Sequence, residues 1–268
     1  MARLGPDAAR YVLAGSGTAV PRPFHLRWLL PALCGDDIKA WRFVWLISWP
    51  VAAAGFVWWQ YDNMPQALAG CVFLLALPGI LGPEVSIPVQ VDLPATAVGL
   101  LACGAFGANP WHIAACCILA TFAGCIRETA PIMVALWVWS PWPLVGLVAP
   151  LAAYMVRKPG PCPIGLQDIS DHPFRSSLKF HTGQWRDAWI MVAPWGVCLA
   201  ALYSPSWQVG AVLAVAYGQL LMATDSVRLY QHAAGPVLAA SAAAVIPPAW
   251  LPLAVAVHVV WWRTPHRI

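Results

Sequence analysis

Gly124-Cys-Ile-Arg-Glu-Thr-Ala-Pro131 places two adjacent charges, Arg127 and Glu128, between the apolar runs 111–126 and 129–140. Long apolar runs separated by short polar or proline-containing junctions recur through most of the chain. Charged side chains at such a junction need water or a polar partner, so the ends of both apolar segments should meet a polar surface. The stretch therefore predicts a helical protein whose charges lie at helix ends.

The composition predicts a membrane protein. Hydrophobic residues make up 60% of the chain and charged residues 10%, with a mean hydropathy of +0.66, whereas a soluble domain is about half apolar and one-quarter charged. The 17 tryptophans and 26 prolines agree with this, because indole rings favour the headgroup level and prolines are tolerated in or between spans. Basic residues are not interleaved with aromatics as in nucleic-acid-binding proteins, so we expect the lipid bilayer and no nucleic acid as a partner.

The apolar runs predict an all-α fold, a polytopic integral membrane helical bundle of about 8–10 hydrophobic segments. The candidate spans are 41–60, 66–82, 94–107, 111–126, 129–140, 143–156, 187–203, 208–223, 231–246 and 250–262. A full crossing takes about 20 helical residues, so the shorter runs would be tilted, re-entrant or partly fused. The runs 129–140 and 143–156 are either two helices or one kinked helix, because Pro141 and Pro143 remove helix hydrogen bonds.

The polar residues divide the chain into two predicted regions. Residues 1–40 form an amphipathic N-terminal polar segment, and residues 41–268 form a single transmembrane helical domain with one long polar loop at 157–186. Long loops in compact proteins are usually functional or disordered, so this loop is a candidate lid over a donor or acceptor.

Charge is distributed unevenly between the two predicted membrane faces. If all ten segments cross, the short Pro- and Trp-containing connections share one face, and all 15 Lys and Arg residues lie on the other. The positive-inside rule would make the charged face cytoplasmic. Ionisable residues at a membrane edge indicate function when they face a cavity, and structural ion pairs or snorkelling arginines are the alternative.

No metal and no cofactor are predicted. The eight cysteines include no Cys-x-x-Cys pair, and most lie within apolar runs where a thiol behaves as a small hydrophobe. His172 and His181 in the polar loop are not spaced as zinc ligands.

Three regions of the chain contain short motifs that occur together in a known enzyme superfamily. Asp7-Ala-Ala-Arg-Tyr11 followed by Pro21-Arg-Pro-Phe-His-Leu-Arg27-Trp-Leu-Leu-Pro31 resembles the first-loop pattern of the GT-C membrane glycosyltransferases. Val91-Asp92-Leu-Pro-Ala95 opens one span and the charged Arg127-Glu128-Thr129 closes the next, as in related enzymes. Asp225-Ser-Val-Arg228 with Pro236 resembles a late segment of the family.

The resemblance implies transfer of a sugar from a polyprenyl-phosphate donor to an acceptor of unknown identity, in a bacterial-type plasma membrane with the charged face extracytoplasmic. It implies that Asp7 is the catalytic base, and that Arg27, Arg127 and Arg228 bind the lipid phosphate through their guanidinium forks. Asp92 and Glu128 would orient those arginines or bind sugar hydroxyls. Glu84 and Asp225 are further substrate-binding candidates.

Family members normally carry a transmembrane helix before the catalytic aspartate, whereas only six residues precede Asp7 here. Either this sequence starts late, or the protein is a reduced form without that helix; we expect the reduced form. Two other classes remain alternatives, a non-catalytic polytopic membrane scaffold and a small transporter. A transporter would favour ionisable groups near the middle of the bilayer and paired repeats.

Overall fold

The computed structural model describes residues 6–21, 24–80, 89, 91–160, 191–221 and 226–263, without the side chains of 6–7, 221, 226–229 and 261–263. Within these ranges the secondary structure is helical and no β-strand occurs, so the all-α prediction is confirmed. The chain divides into two compact units. Unit 1 comprises Met1–Trp59 and Glu84–Ser170, and unit 2 comprises Gln60–Pro83 and Asp171–Ile268.

The described helices follow the apolar pattern, because each of the ten predicted runs overlaps a helical segment. Unit 1 contains α1 (Pro6–Gly15), the 3₁₀ helix Phe24–Leu26, α2 (Leu29–Cys34), α3 (Ile38–Trp59), α5 (Asp92–Ala105), α6 (Pro110–Ile126), α7 (Ala130–Trp137), the 3₁₀ helix Trp142–Leu147 and α8 (Val148–Val156). Unit 2 contains α4 (Met64–Leu75), the 3₁₀ helix Ala193–Tyr203, α9 (Trp207–Gly218), the 3₁₀ helix Gln219–Leu221, α10 (Ser226–Val245), the 3₁₀ helix Pro248–Trp250 and α11 (Leu251–Arg263).

Among the described helices, α3 alone is long and apolar enough to cross a membrane by itself. It contains 22 residues with a hydropathy of 1.3, which corresponds to about 33 Å at 1.5 Å per residue. The helices Tyr230–Val245 and Pro248–Val260 meet the same criteria only as a pair, and they are bent by 112° at their junction. The other apolar helices are shorter.

Close backbone contacts hold the central helices of unit 1 together. α3 packs on α5 at Gly55, where an added Cβ atom would lie 2.8 Å from the Leu101 nitrogen. That distance is too short for any side chain, so glycine permits the two helix backbones to approach. The next helix, α6, follows α5 through the short connection 106–109 and packs beside it.

The segment 130–156 forms a hairpin against α6. The Cys117 thiol lies 3.3 Å from the Trp142 carbonyl oxygen, Gly146 meets the Ala120 backbone, and Gly124 meets Pro150. The segment Trp142–Val156 therefore runs parallel to α6, and α7 runs in the opposite direction. The hairpin turn, with Trp139 at a φ of 53°, thus meets α6 near its middle, and the proline-containing stretch separates two helices.

The N-terminal segment is part of the packing of unit 1. Its buried Ala8, Tyr11 and Phe24 belong to one apolar cluster with Trp41 at the start of α3. The same cluster includes residues at the adjoining ends of α5, α6 and α7: Val91, Ala95, Ala123, Ile126 and Ala130. The described part of the segment 1–40 therefore packs over one end of these three helices.

Unit 2 contains a broken helix whose freed backbone groups are bound by side chains. Gly196, at a φ of 51°, interrupts the helix Ala193–Tyr203. Gln231 donates from Nε2 to the Pro194 carbonyl at 2.7 Å and accepts from the Gly79 N–H. His258 Nδ1 accepts from the Val197 N–H at 3.2 Å, while Nε2 lies 2.9 Å from the Phe73 carbonyl. These contacts require the Nε2–H tautomer of His258, and they satisfy polar groups that are costly to leave unpaired.

Candidate functional site

A polar cluster at the ends of the unit 1 helices contains four of the predicted site residues. Asp92 lies in the first turn of α5, Arg127 directly follows α6, and Glu128 lies between α6 and α7. Arg27 follows the 3₁₀ helix Phe24–Leu26 and reaches the same position from the N-terminal segment. The four side chains form two ion pairs.

The first pair joins Arg27 to Glu128 with bidentate geometry. The Arg27 Nε and Nη2 atoms donate to the two carboxylate oxygens of Glu128, each at 2.8 Å. The remaining nitrogen, Nη1, donates to the Tyr11 hydroxyl oxygen at 2.7 Å. Each nitrogen of Arg27 is therefore engaged, and the guanidinium links α1 to the α6–α7 junction.

The second pair joins Arg127 to Asp92 and is more deeply buried. Arg127 Nη1 donates to the Asp92 carboxylate, and the two side chains are 8% and 5% exposed. Each charge also faces the favourable end of a helix dipole, because Asp92 lies at the N-terminus of α5 and Arg127 at the C-terminus of α6. Arg127 Nε is buried and has no hydrogen-bond partner among the residues that the structure describes. Since the pair connects the start of α5 to the end of α6, these helices are antiparallel.

Arg127 and Glu128 are adjacent in the sequence but bind different partners. Arg127 ends α6 in an extended conformation, with φ −145° and ψ 122°. Successive side chains of an extended backbone point to opposite faces. Arg127 therefore turns toward Asp92 and Glu128 toward Arg27, and each pair joins residues far apart in the sequence.

Local charges control the ionisation of the first pair. Burial alone would raise the pKa of Glu128, but the charge and hydrogen bonds of Arg27, together with the Arg127 charge, hold it below its ordinary value. Burial likewise opposes the charged form of Arg27, yet Glu128 and Tyr11 raise the pKa of Arg27 well above its usual range. Burial raises the pKa of the Tyr11 hydroxyl to about 12. At neutral pH the pair is ionised and Tyr11 is neutral.

Aromatic side chains surround the first pair. The Arg10 and Arg27 guanidiniums lie 4.9 and 5.6 Å from the Phe24 ring centroid, within the range of cation–π contacts. The Tyr11 ring meets Phe24 edge to face at 5.2 Å and Trp41 at 5.9 Å. The N-terminal sequence motif alone indicates no role for Tyr11, because only the folded chain shows that Arg27 is its hydrogen-bond partner.

The other four predicted site residues are not described in the structure at the level of their side chains. Asp7 lies in the first turn of α1, four residues before Tyr11, and its side chain is outside the described residues. Arg228 lies in α10 of unit 2, and its side chain is also outside them. Glu84 and Asp225 fall outside the described ranges altogether.

The predicted loop 157–186 is described only at its beginning, in residues 157–160. Arg157 lies over the Trp28 ring, 5.7 Å from its centroid, and the Gly160 N–H donates to the Val20 carbonyl at 2.8 Å. The loop therefore leaves α8 beside the N-terminal segment. Within the described part of the chain, no three His, Cys, Asp or Glu side chains are grouped to hold a metal ion.

The cluster has the chemistry of an anion site with an available donor. Asp92 and Glu128 bind the two arginines, but the Arg127 Nε–H, which has no partner in the described part of the chain, can donate to a further oxygen. Guanidinium groups bind phosphate and carboxylate oxygens with strong charge-assisted hydrogen bonds. Comparisons with models of protein families, with curated proteins and with solved structures found no match to this chain.

Proposed function

We propose that this protein is a polytopic membrane glycosyltransferase of the GT-C type, which moves a sugar from a polyprenyl-phosphate donor to an acceptor at the membrane surface. The observation that carries the proposal is the buried Arg127, which is bonded to Asp92 through Nη1 and has an unpartnered Nε–H. A buried donor without a partner is costly, and a ligand oxygen would remove that cost.

Exposed apolar faces support the membrane part of the proposal. Large apolar side chains recur at helical spacing on the outer surface of unit 1. They include Phe43, Leu46 and Ile47 on α3, and Val148, Leu151 and Met155 on α8. Continuous apolar faces of this kind are rare on soluble monomers, whereas lipid chains would cover them. The bundle is proposed to lie in a bacterial-type plasma membrane.

The proposed chemistry needs a group that binds the leaving phosphate and a group that accepts a proton. The acceptor hydroxyl attacks the anomeric carbon, the bond from that carbon to the phosphate oxygen breaks, and polyprenyl phosphate leaves with the bonding electrons. Arg127 would stabilise the negative charge on the departing phosphate. Asp7 would take the proton of the acceptor hydroxyl as general base.

The two arginines of the cluster receive different roles in this scheme. Arg27 is occupied at all three nitrogens by Glu128 and Tyr11, so phosphate binding there would first break those bonds. Arg127 can add a ligand without losing Asp92. We therefore propose that Arg127 binds the phosphate and that Arg27 holds Glu128 in place.

The test compares Arg127 variants in a purified, lipid-reconstituted protein supplied with polyprenyl-phosphate sugars. Arg127→Lys should slow transfer at limiting donor although it keeps the charge, because lysine lacks the planar fork. Arg127→Ala should slow it further, by about 10- to 100-fold, as expected for lost hydrogen bonds to a charged group. Arg42→Ala is the control, since Arg42 is an exposed arginine at the start of α3.

Two results would contradict the proposal. Equal transfer rates for wild type and both Arg127 variants at limiting donor would remove Arg127 from phosphate binding. A folded wild-type protein that transfers no sugar from any polyprenyl-phosphate donor would favour the non-catalytic scaffold, with both ion pairs as structural elements.

A small transporter is the second candidate, and the broken helix at Gly196 is the observation that favours it. Discontinuous helices form the substrate and ion sites of many transporters. Here Gln231 and His258 bind the backbone groups freed at the break, so those groups are not left for a substrate. Sugar flux into proteoliposomes without glycosyl transfer would decide for the transporter.

A further inference from the structure

One hydrogen-bonded chain connects three separate parts of unit 1. It runs from the Tyr11 hydroxyl in α1, through the Arg27 guanidinium, to the Glu128 carboxylate at the α6–α7 junction. Tyr11 and Arg27 are 16 positions apart and Arg27 and Glu128 are 101 positions apart. The Arg27 and Glu128 side chains are 14% and 20% exposed, so the chain is largely shielded from water.

The position of α1 depends on such contacts. α1 has 10 residues, and isolated helices shorter than about 12–15 residues are marginal in water. One face carries the buried Ala8 and Tyr11, while Leu13 on the same helix is exposed. Apolar packing alone leaves a short helix free to slide, whereas a directional bond at Tyr11 fixes its register.

We infer that Tyr11 and Arg27 are positioning residues that dock α1 onto the α6–α7 junction, and so set the place of Asp7 relative to Arg127. Asp7 lies in the first turn of α1, and Arg127 is the neighbour of Glu128. The bidentate pair holds the junction, and the tyrosine bond holds the helix. The role of these residues in catalysis rests on the function proposed above, whereas the docking itself does not.

The experiment measures docking and transfer separately in the lipid-reconstituted full chain. Tyr11→Phe keeps the ring packed on Phe24 and Trp41 and removes only the hydroxyl. Amide hydrogen exchange in α1 should accelerate about tenfold or more, because a hydrogen bond to a charged partner is lost. The kcat for transfer should fall by a similar factor, with KM for the donor unchanged, because Arg127 is untouched.

Matched variants complete the test. Glu128→Gln should accelerate hydrogen exchange in α1. Arg27→Lys should accelerate it too, although it keeps the charge, because one ammonium group cannot make the bonds of the guanidinium fork to Glu128 and Tyr11 together. Leu13→Ala, on the exposed side of α1, should leave kcat unchanged.

Three outcomes would overturn the inference in distinguishable ways. Wild-type exchange in Tyr11→Phe would refute the docking. Faster exchange with an unchanged kcat would leave Tyr11 a structural residue only. A wild-type protein without transferase activity would refute the proposed function and the catalytic part of the inference, while the exchange data would still decide the docking.

Discussion

At the scale of single residues, the polar cluster uses Arg27 and Arg127 differently. All three nitrogens of Arg27 donate hydrogen bonds, whereas the buried Nε–H of Arg127 has no partner among the described residues. A guanidinium whose nitrogens all donate to protein groups cross-links chain segments, whereas one with an unused N–H can bind a ligand. Removal of Arg27 should therefore affect the folding of unit 1 more than the affinity for an anion.

Asp7→Asn tests the proposed base, because asparagine keeps the size and removes the charge. Transfer should fall by about 10²- to 10⁴-fold, the usual contribution of general base catalysis. Donor binding and thermal stability should change little. Asp37→Asn is the control, since the Asp37 carboxylate accepts from the Lys39 N–H at 2.8 Å and caps the start of α3. Full activity in Asp7→Asn would exclude Asp7 as the base.

The Arg27–Glu128 pair should make stability depend on pH in the acidic range. The folded-state pKa of Glu128 lies below its ordinary value of 4.5. The stabilisation is therefore complete above pH 4.5 and is lost as pH falls through the lower folded-state pKa. Thermal midpoints of wild type and Glu128→Gln should differ at pH 7 and converge in acid. A constant difference across this range would show that ionised Glu128 is not stabilising.

At the scale of elements, the contact of α3 with α5 should depend on the missing side chain at Gly55. A Cβ atom there would lie 2.8 and 2.9 Å from backbone atoms of Leu101 and Leu100, so Gly55→Ala should force the helices apart and lower stability by about 1–3 kcal/mol. Gly210→Ala in α9 is the control, because its added Cβ meets nothing within 4 Å. It should be neutral or stabilising by up to about 1 kcal/mol. Thermal unfolding in detergent measures both.

The broken helix of unit 2 should depend on Gln231. Gln231→Met removes the partners of the Gly79 N–H and the Pro194 carbonyl, and each unsatisfied group costs about 1–3 kcal/mol. Gln219→Met is the matched control, because the Gln219 Nε2 group is buried without a hydrogen-bond partner. The control should lose little stability or gain some. Equal unfolding midpoints for the two variants would mean that Gln231 does not hold the break.

The positions of the helices could be predicted from the sequence, whereas the contacts between them could not. Continuous apolar runs predict buried or lipid-facing helices, and all ten runs overlap helical segments. The predicted run 129–140 nevertheless exceeds α7, which ends at Trp137 before Trp139 takes a positive φ. The pairing of Arg27 with Glu128 crosses 101 positions, and no local pattern in one sequence encodes such a distance. Phosphate binding by Arg127 and base catalysis by Asp7 stay predictions.

At the scale of the whole molecule, the hairpin 130–156 changes what a labelling experiment should find. The hairpin turn lies beside Cys117, near the middle of α6. If this part of unit 1 spans a membrane, the turn is therefore near the middle of the bilayer. Ser140→Cys in a cysteine-depleted chain should resist a membrane-impermeant maleimide from either side. Lys158→Cys, on the exposed segment after α8, should react from one side. Labelling of Ser140→Cys from the side opposite to Lys158→Cys would contradict this expectation and support the ten-pass arrangement. Labelling of both positions from the same side would contradict the expectation and the ten-pass arrangement alike.

Which segments of the chain form each compact unit could not be predicted from their order in the sequence. Unit 1 takes residues from both sides of Gln60–Pro83, which belongs to unit 2. Helix pairing is decided by surface shape, such as the contact at Gly55, and adjacent helices in the sequence need not share a unit. The predicted boundary between residues 1–40 and 41–268 was based on the distribution of charged residues. Charge indicates which segments contact solvent and does not indicate which helices pack together.

Two central helices of unit 1, α5 and α6, are shorter than the hydrocarbon core of a typical bilayer is thick. α5 and α6 have 14 and 17 residues, or about 21 and 26 Å, against a hydrocarbon core of about 30 Å. If unit 1 lies in a membrane as proposed, the lipids around these two helices would have to compress, at a cost of fractions of a kcal/mol for each ångström of mismatch. In that case the protein would gather short-chain lipids around itself and concentrate in the thinnest regions of its membrane.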